Sequence, residues 1–295
     1  MINLPIPFIG CKRGWNKEMT KLFKPYKDVD GLIIIDLFGG SGYCSLLAKH
    51  VCSNATVIYN DYDHYTDQFE YMEENMKIMT KIRELVKERN IKKGGKLPDD
   101  LVAEILTMLR DLRDEHKLII NLFSSCLCFQ FSVLEIDNPK QKLYNKLTEK
   151  DYSNNVKQYE NLEIVHEDWE TLYNKYKGNN KVIFIMDPPY PFTFQTNYKG
   201  YSFLANQLRI IDLLNSEPNL LLFTSEKSFI IDCYKWKYNW DSKIKIIRKY
   251  MNCLPSRQYK HDEILIYKLL EPSDLSAGLV ESVDSVGLVD SVGSP

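Results

Sequence analysis

The run "GLIIIDLFGGSG", residues 31 to 42, narrows the folds open to this chain more than any other stretch. An unbroken apolar run of this length suits a strand buried on both faces, as in a parallel sheet covered by helices. The glycines at 39, 40 and 42 then turn the backbone tightly, and the apolar pattern after them starts a helix. The unit is therefore strand, turn, helix, and Asp36 sits at the strand's carboxyl end, where open α/β sheets bind ligands. The loop is not the dinucleotide fingerprint, because Ser45 stands where that motif needs a third glycine or alanine.

Further strand-like runs follow: "ATVIYND", "LEIVH", "KVIFIMD", "LLLFT", "IKIIRKY" and "EILIYK". With helices between them they predict an α/β fold: a Rossmann-like, seven-stranded, mostly parallel sheet closed by an antiparallel hairpin. Between the second and third strands the pattern changes. Phe69, Met72, Met76, Met79, Ile82 and Val86 recur every three or four residues, which is one face of a long helix. "KKGGKLP" breaks it, and Asp99 is a candidate cap for a second helix carrying Leu101, Ile105, Leu109 and Leu112. "LIINLFSSCLCFQFS" fits either a strand or a buried helix. The expected organisation is a core domain from 1–62 and 161–271, a mainly helical insertion over 63–160, and a tail over 272–295. The tail repeats "SVDSVG"-like words and reads as disordered or vector-derived.

Composition limits the function classes. The 295 residues can bury a large core, and no apolar run is long enough to span a bilayer. Seven cysteines without a CxxC pair and five scattered histidines predict neither a disulfide framework nor a metal site. A reduced, cytoplasmic protein with no membrane partner is expected. The formal net charge is −2, but the chain after Glu271 carries four acids and no Lys or Arg. Residues 76 to 150 hold 15 Lys and Arg against 11 Asp and Glu, a mild basic excess within the insertion.

Three further acids follow strands. Asp61 ends the second strand, where a carboxylate can accept both hydroxyls of a ribose. Asp168 and Trp169 follow the third; the acid can accept from an adenine amine while the indole stacks on the ring, although Trp169 also suits a plain core position. Asp187 ends the run "VIFIMDPPY" and is followed by Pro188, Pro189 and Tyr190. Two prolines make a stiff corner without amide donors at 188 and 189, so the corner presents acceptors: the Asp187 carboxylate and a carbonyl such as that of Pro188. Two fixed acceptors suit a planar exocyclic amine, and Tyr190 offers a face for the ring that bears it.

"DPPY" together with "DLFGGSG" resembles the DNA adenine-N6 methyltransferases of the Dam type, and the likeness covers roughly residues 5 to 270. The order of glycine loop, long insertion and "DPPY" agrees with that family. The resemblance implies S-adenosyl-L-methionine as cofactor, held by Asp36, Phe38, Gly39, Gly40, Ser41, Gly42, Asp61, Asp168 and Trp169. It implies catalysis by Asp187, Pro188, Pro189 and Tyr190 on a base flipped out of double-stranded DNA. The insertion is then the DNA reader. Candidate DNA contacts are Lys12 and Arg13 near the N-terminus, Lys92 and Lys93 in the turn between the helices, and Arg257 and Lys260 in the hairpin.

The family's opening segment is altered in "FIGCKRGW": Cys11 stands in the place of a tryptophan and Trp15 in the place of a lysine, with Lys12, Arg13 or Lys17 left to supply the basic contact. A bacterial or phage-infected cell, with or without a partner restriction endonuclease, is the expected setting, and the paired helices could also form a dimer contact. Cytosine-N4 transfer is the nearest alternative, although its motif usually starts with serine. A non-catalytic nucleic-acid-binding protein on the same fold is the other. C5-cytosine chemistry is excluded, since the chain has no Pro-Cys pair.

Overall fold

In a computed structural model the structure describes residues 2–8, 10–129, 133–138, 140–190, 203–239, 241–252 and 260–276. Seven strands form one sheet: β1 (Ile33–Asp36), β2 (Thr56–Asn60), β3 (Glu163–Val165), β4 (Val182–Met186), β5 (Leu220–Ser225), β6 (Lys245–Asn252) and β7 (Lys260–Lys268). Their order is β3-β2-β1-β4-β5-β7-β6. β1 to β5 pair in parallel, whereas β7 lies antiparallel between β5 and β6. The sheet is the Rossmann-like one expected from the strand runs.

The period-two geometry of a strand explains how one apolar run feeds two cores. Ile34, Ile183, Ile185, Leu221 and Phe223 face one side, and Ile35, Phe184, Met186, Leu220 and Leu222 face the other. The first side is covered by α1 (Asn16–Phe23) and α2 (Tyr43–Val51), through Met19, Phe23, Leu46 and Leu47. The second is covered by α6 (Trp169–Tyr176), α7 (Phe203–Ser216) and α8 (Ile230–Lys237), through Leu172, Ile210, Leu214, Ile230 and Tyr234.

The insertion contributes α3 (Met72–Glu88), α4 (Asp99–Asp114) and α5 (Ile120–Leu127). The stretch "LIINLFSSCLCFQFS", open between strand and helix on pattern alone, forms α5 over Ile120–Leu127. The insertion has no separate core. Met79, Ile82, Ile105, Leu109 and Phe123 join the cluster that holds Met19, Phe23 and Tyr59 beneath the sheet. Asp99 does not cap α4; Pro98 holds the cap position without a side-chain bond, and Asp99 and Asp100 lie in the first turn, where a carboxylate suits the helix dipole. The supposed tail also begins later than expected, because Pro272–Ser276 form a short helix whose Leu275 is buried in the first core. The remainder of the tail, from 277 on, lies outside the described residues.

Asn75 on α3 locks the insertion together. Its amide donates to the Tyr71 and Lys117 carbonyls, both at 2.7 Å, and its oxygen accepts from the Ile119 amide at 2.9 Å. The residue is fully buried. Asn75→Ala leaves these backbone groups without partners and is expected to cost about 3 kcal/mol. Urea unfolding of the variant measures this, and a loss under about 0.5 kcal/mol, the level of a neutral surface substitution, contradicts the role.

Candidate active site

The chain runs outward from β1 to β2 and β3, then crosses back to β4 on the other side of β1. This reversal opens a crevice at the carboxyl ends of β1 and β4, the place where open α/β sheets bind ligands. Asp36 pairs in register with Ile185, so Asp187 emerges just beyond it on the neighbouring strand. A cleft there is lined by Phe8, Lys12, Asp36, Phe38, Gly40 and Asp187.

Asp36 is buried. Its Oδ2 accepts from the Ser45 hydroxyl at 2.9 Å, while Oδ1 has no partner among the described residues. Burial pushes its carboxyl up to about 7; the Ser45 hydrogen bond opposes this and the charge of Asp187 adds to it. Ser45, which excludes the dinucleotide motif, thus has a positive role in holding the acid.

The glycine loop is held down by aromatic rings. A Cβ on Gly39 would lie 2.3 Å from the Tyr59 ring, and one on Gly42 would lie 2.8 Å from Tyr159. Gly40 and Gly42 also have positive φ, +48° and +68°. The Tyr59 hydroxyl donates to the Gly40 carbonyl and that of Tyr159 to the Ser41 carbonyl, each at 2.6 Å. Tyrosine packing therefore requires glycine at 39 and 42, and Gly39 and Gly40 also line the cleft. Phe8 packs over Gly40.

The Asp187 corner is engaged on both oxygens. Lys12 Nζ pairs with Oδ2 at 2.6 Å, and the Tyr190 hydroxyl donates to Oδ1 at 2.8 Å. Pro188 and Pro189 are buried, and Tyr190 is half-buried, with the Lys12 ammonium 5.5 Å from its ring centroid. Lys12 also donates to the Gly10 carbonyl at 2.8 Å and lies 3.7 Å from Glu263 on β7. Glu263 in turn accepts from the Trp15 indole at 2.6 Å. Burial works against the Lys12 ammonium, but Asp187 and Glu263 more than offset it and raise its affinity for the proton. Burial pushes the Asp187 carboxyl up, against the pull of Lys12.

Several expected roles change with this geometry. Lys12 is not a surface contact for DNA phosphate, since it is 4% exposed and bound to Asp187. It is the basic residue that the altered N-terminal segment delivers to the site, whereas Arg13 and Lys17 are exposed and Trp15 is buried against β7. Asp61 is fully buried and accepts from the Tyr65 amide, the Thr66 amide and the Thr66 hydroxyl, so it opens the insertion's first turn instead of facing a ribose. Asp168 is exposed, and its Oδ1 caps α6 by accepting from the Glu170 and Thr171 amides. Trp169 is 7% exposed and lies behind Phe38, 5.6 Å between ring centroids, so Phe38 is the ring that lines the cleft. Lys93 donates to the Lys146 and Leu147 carbonyls and is spent on the fold. Lys92 is exposed. Arg257 lies outside the described residues, and Lys260 opens β7.

Sequence reasoning missed Asn60. Its amide donates to the Leu37 and Glu167 carbonyls at 3.0 and 2.9 Å, and its oxygen accepts from the Glu167 amide at 2.9 Å. One buried side chain thus joins the loops after β1, β2 and β3. The sequence signal was slight: a polar residue ending an apolar strand run.

No protein-family profile matches the chain. A curated protein of Haemophilus influenzae described as "Putative methyltransferase" is 29% identical over 279 residues, spanning 90% of this chain and 91% of that protein. Likeness over nearly the full length of both chains, on a Rossmann-like sheet with its crevice at β1 and β4, supports a methyltransferase family and an enzyme. Among the described residues no helix is long and apolar enough to cross a membrane.

Methyltransferases on such a sheet imply S-adenosyl-L-methionine, and the residues fit it. An unpartnered, buried carboxylate oxygen of Asp36 borders a cleft with the ring of Phe38 and the glycine loop, which suits a ligand carrying positive charge and an aromatic base.

The folded state holds a proton on Asp36 up to about pH 7, where an unfolded carboxyl has released it near 3.8. The contribution is therefore fully present at acid pH and is lost as pH rises from about 4 through 7. Asp36→Asn should remove that slope, so wild type should lose up to about 4 kcal/mol relative to the variant between those limits. Urea midpoints at stepped pH report it; parallel curves for the two proteins contradict the assignment.

Proposed function

We propose that the protein is a DNA methyltransferase that moves a methyl group from S-adenosyl-L-methionine to the N6 amine of adenine. The observation that carries this reading is the Asp187-Pro188-Pro189-Tyr190 corner, set beside Asp36 and the glycine loop at the reversal of strand order. The cofactor, when bound, supplies an electrophilic methyl on a sulfonium.

Asp36, which burial keeps protonated up to about pH 7, releases its proton and supplies negative charge when a cationic ligand binds, and Phe38 provides an aromatic wall. Asp187 is the acceptor for the substrate amine. A carboxylate has about four lone-pair sites, so an amine N–H can join Tyr190 and Lys12 there or displace the ammonium. The prolines keep the corner free of competing amide donors, and Tyr190 supplies the ring against which a flipped base packs. As the N–C bond forms and the methyl leaves sulfur, the amine gives up one proton. The Asp187 carboxylate, its proton affinity raised by burial, is a base suited to take it. Holding the two reactants in line accounts for much of the acceleration.

Duplex DNA is the substrate this reading favours, with the basic excess of residues 76 to 150 on the insertion beside the site. The same corner would serve the N4 amine of cytosine, and product analysis separates the two.

Unmethylated duplex DNA incubated with labelled cofactor should yield N6-methyladenine on nucleoside analysis. N4-methylcytosine would keep the chemistry and change the base; no product on DNA with cofactor bound would overturn the substrate. Asp187→Ala should lower turnover by about 100-fold or more, as for loss of a group aimed at the reacting atoms. Its cofactor affinity should stay within about threefold of wild type, a change under 0.7 kcal/mol. Loss of cofactor binding with turnover intact would reverse the assigned role.

A further inference from the structure

His64 follows β2 and His166 follows β3, far apart in sequence, yet their rings stack in parallel with centroids 4.6 Å apart and planes within 6°. Asp67 stands beside them, and one donor atom from each of the three lies within 4.8 Å of the others. All three are exposed. One nitrogen of each ring has a partner. His166 Nδ1 donates to the Asp61 carbonyl at 2.7 Å, since a carbonyl can only accept. His64 Nδ1 meets Asp67 Oδ2 at 2.9 Å and donates to that carboxylate in the same way. With Nδ1 as the donor, Nε2 of each imidazole in its neutral form carries the lone pair, and among the described residues no hydrogen bond occupies it. A histidine whose Nδ1–H is held by a carbonyl or carboxylate is the arrangement that orients imidazoles toward metals.

We infer that His64, His166 and Asp67 form a surface site for one divalent transition ion of the zinc type. Two imidazole nitrogens select zinc, cobalt, nickel or copper over magnesium and calcium, which prefer oxygen donors. With Zn–N bonds near 2.0–2.1 Å, tetrahedral coordination needs the two nitrogens about 3.3 Å apart. In the stacked arrangement the two ring planes are parallel, so binding requires the exposed rings to turn out of it until both lone pairs meet at one point. Asp67 contributes the negative charge, and water completes the coordination shell.

The ion ties the loop after β2 to the loop after β3. These loops already meet through the Asp61 amide and the Val165 carbonyl at 2.8 Å, and through His166 on the Asp61 carbonyl. His64 holds a positive φ of 56°, and its amide donates to the Asp61 carbonyl at 3.1 Å, which places its ring over His166. The site is independent of the methyl-transfer reading and stands or falls without it.

The test is titration of the full-length, EDTA-treated protein with zinc chloride by calorimetry, and with cobalt chloride by absorption. The expected result is one equivalent of zinc bound, lost in His64→Ala and His166→Ala and weakened about tenfold in Asp67→Asn. The cobalt complex should show ligand-field bands without thiolate charge transfer. Absence of binding overturns the proposal. So does equal binding by the His64→Ala/His166→Ala double variant, or a thiolate band, either of which moves the ion to cysteine. If circular dichroism shows the double variant unfolded in EDTA, His166→Gln decides on the same isotherm: retained affinity overturns the site and lost affinity supports it.

Discussion

Three carboxylates, Asp36, Asp187 and Glu263, converge on the crevice, and one buried ammonium, Lys12, serves two of them directly. Removing an ion from water costs several kcal/mol, so acids gathered in this way need a cation or protons to remain in place. Lys12 supplies the cation and joins the N-terminal segment to β4 and β7 at one point. Trp15 completes the tie through Glu263 and packs edge-on against Phe223 of β5, 5.6 Å between centroids. The segment before α1 is therefore part of the crevice wall. The same ion pair covers the group that the proposed chemistry uses, since Lys12 sits where a substrate amine would be received. Entry of that amine must share or displace the ammonium, whose charge would otherwise hold Asp187 in its ionised form.

The opposite wall depends on the carboxyl-end loops of β1, β2 and β3. Asn60 bonds across all three, and Tyr59 and Tyr159 press the glycine loop into shape. Tyr159 comes from the end of the insertion, so the insertion shapes the glycine-loop side of the crevice as well as carrying the long helices. Tyr65 reinforces this by exchanging hydrogen bonds with the backbone of Ile6 at 3.1 and 2.6 Å. N-terminal segment, insertion and sheet thus share one core, and a change in the insertion would reach the glycine loop through Tyr159.

The strand runs were legible because a strand that faces a core is rich in apolar and β-branched residues, and the seven runs and the glycine turn fall where the sheet has its strands and its first crossover. The "DPPY" corner was legible for a similar reason: proline and acid impose their constraints locally. Asp61 shows the limit. An acid ending a strand suits a ribose or the next turn equally, and only the positions of the Tyr65 and Thr66 amides decide for the turn. Trp169 was open between core and ligand in the same way, and its packing behind Phe38 settles it in favour of the core. Lys12 was readable as a basic residue but not as a buried one, because its partners lie on β4 and β7.

By itself the sequence determined the α/β class, the seven strands, the place of the insertion and the acid-proline corner, all properties set by periodicity or by the stereochemistry of single residues. Tertiary structure decided which acids remain open to a ligand, which lysine is a surface charge and which a buried counter-ion, and which histidines meet. Those outcomes depend on pairs separated by most of the chain, such as Trp15 with Glu263 or His64 with His166. Burial and charge pairing arise only when the fold brings such residues together, and no local pattern encodes them.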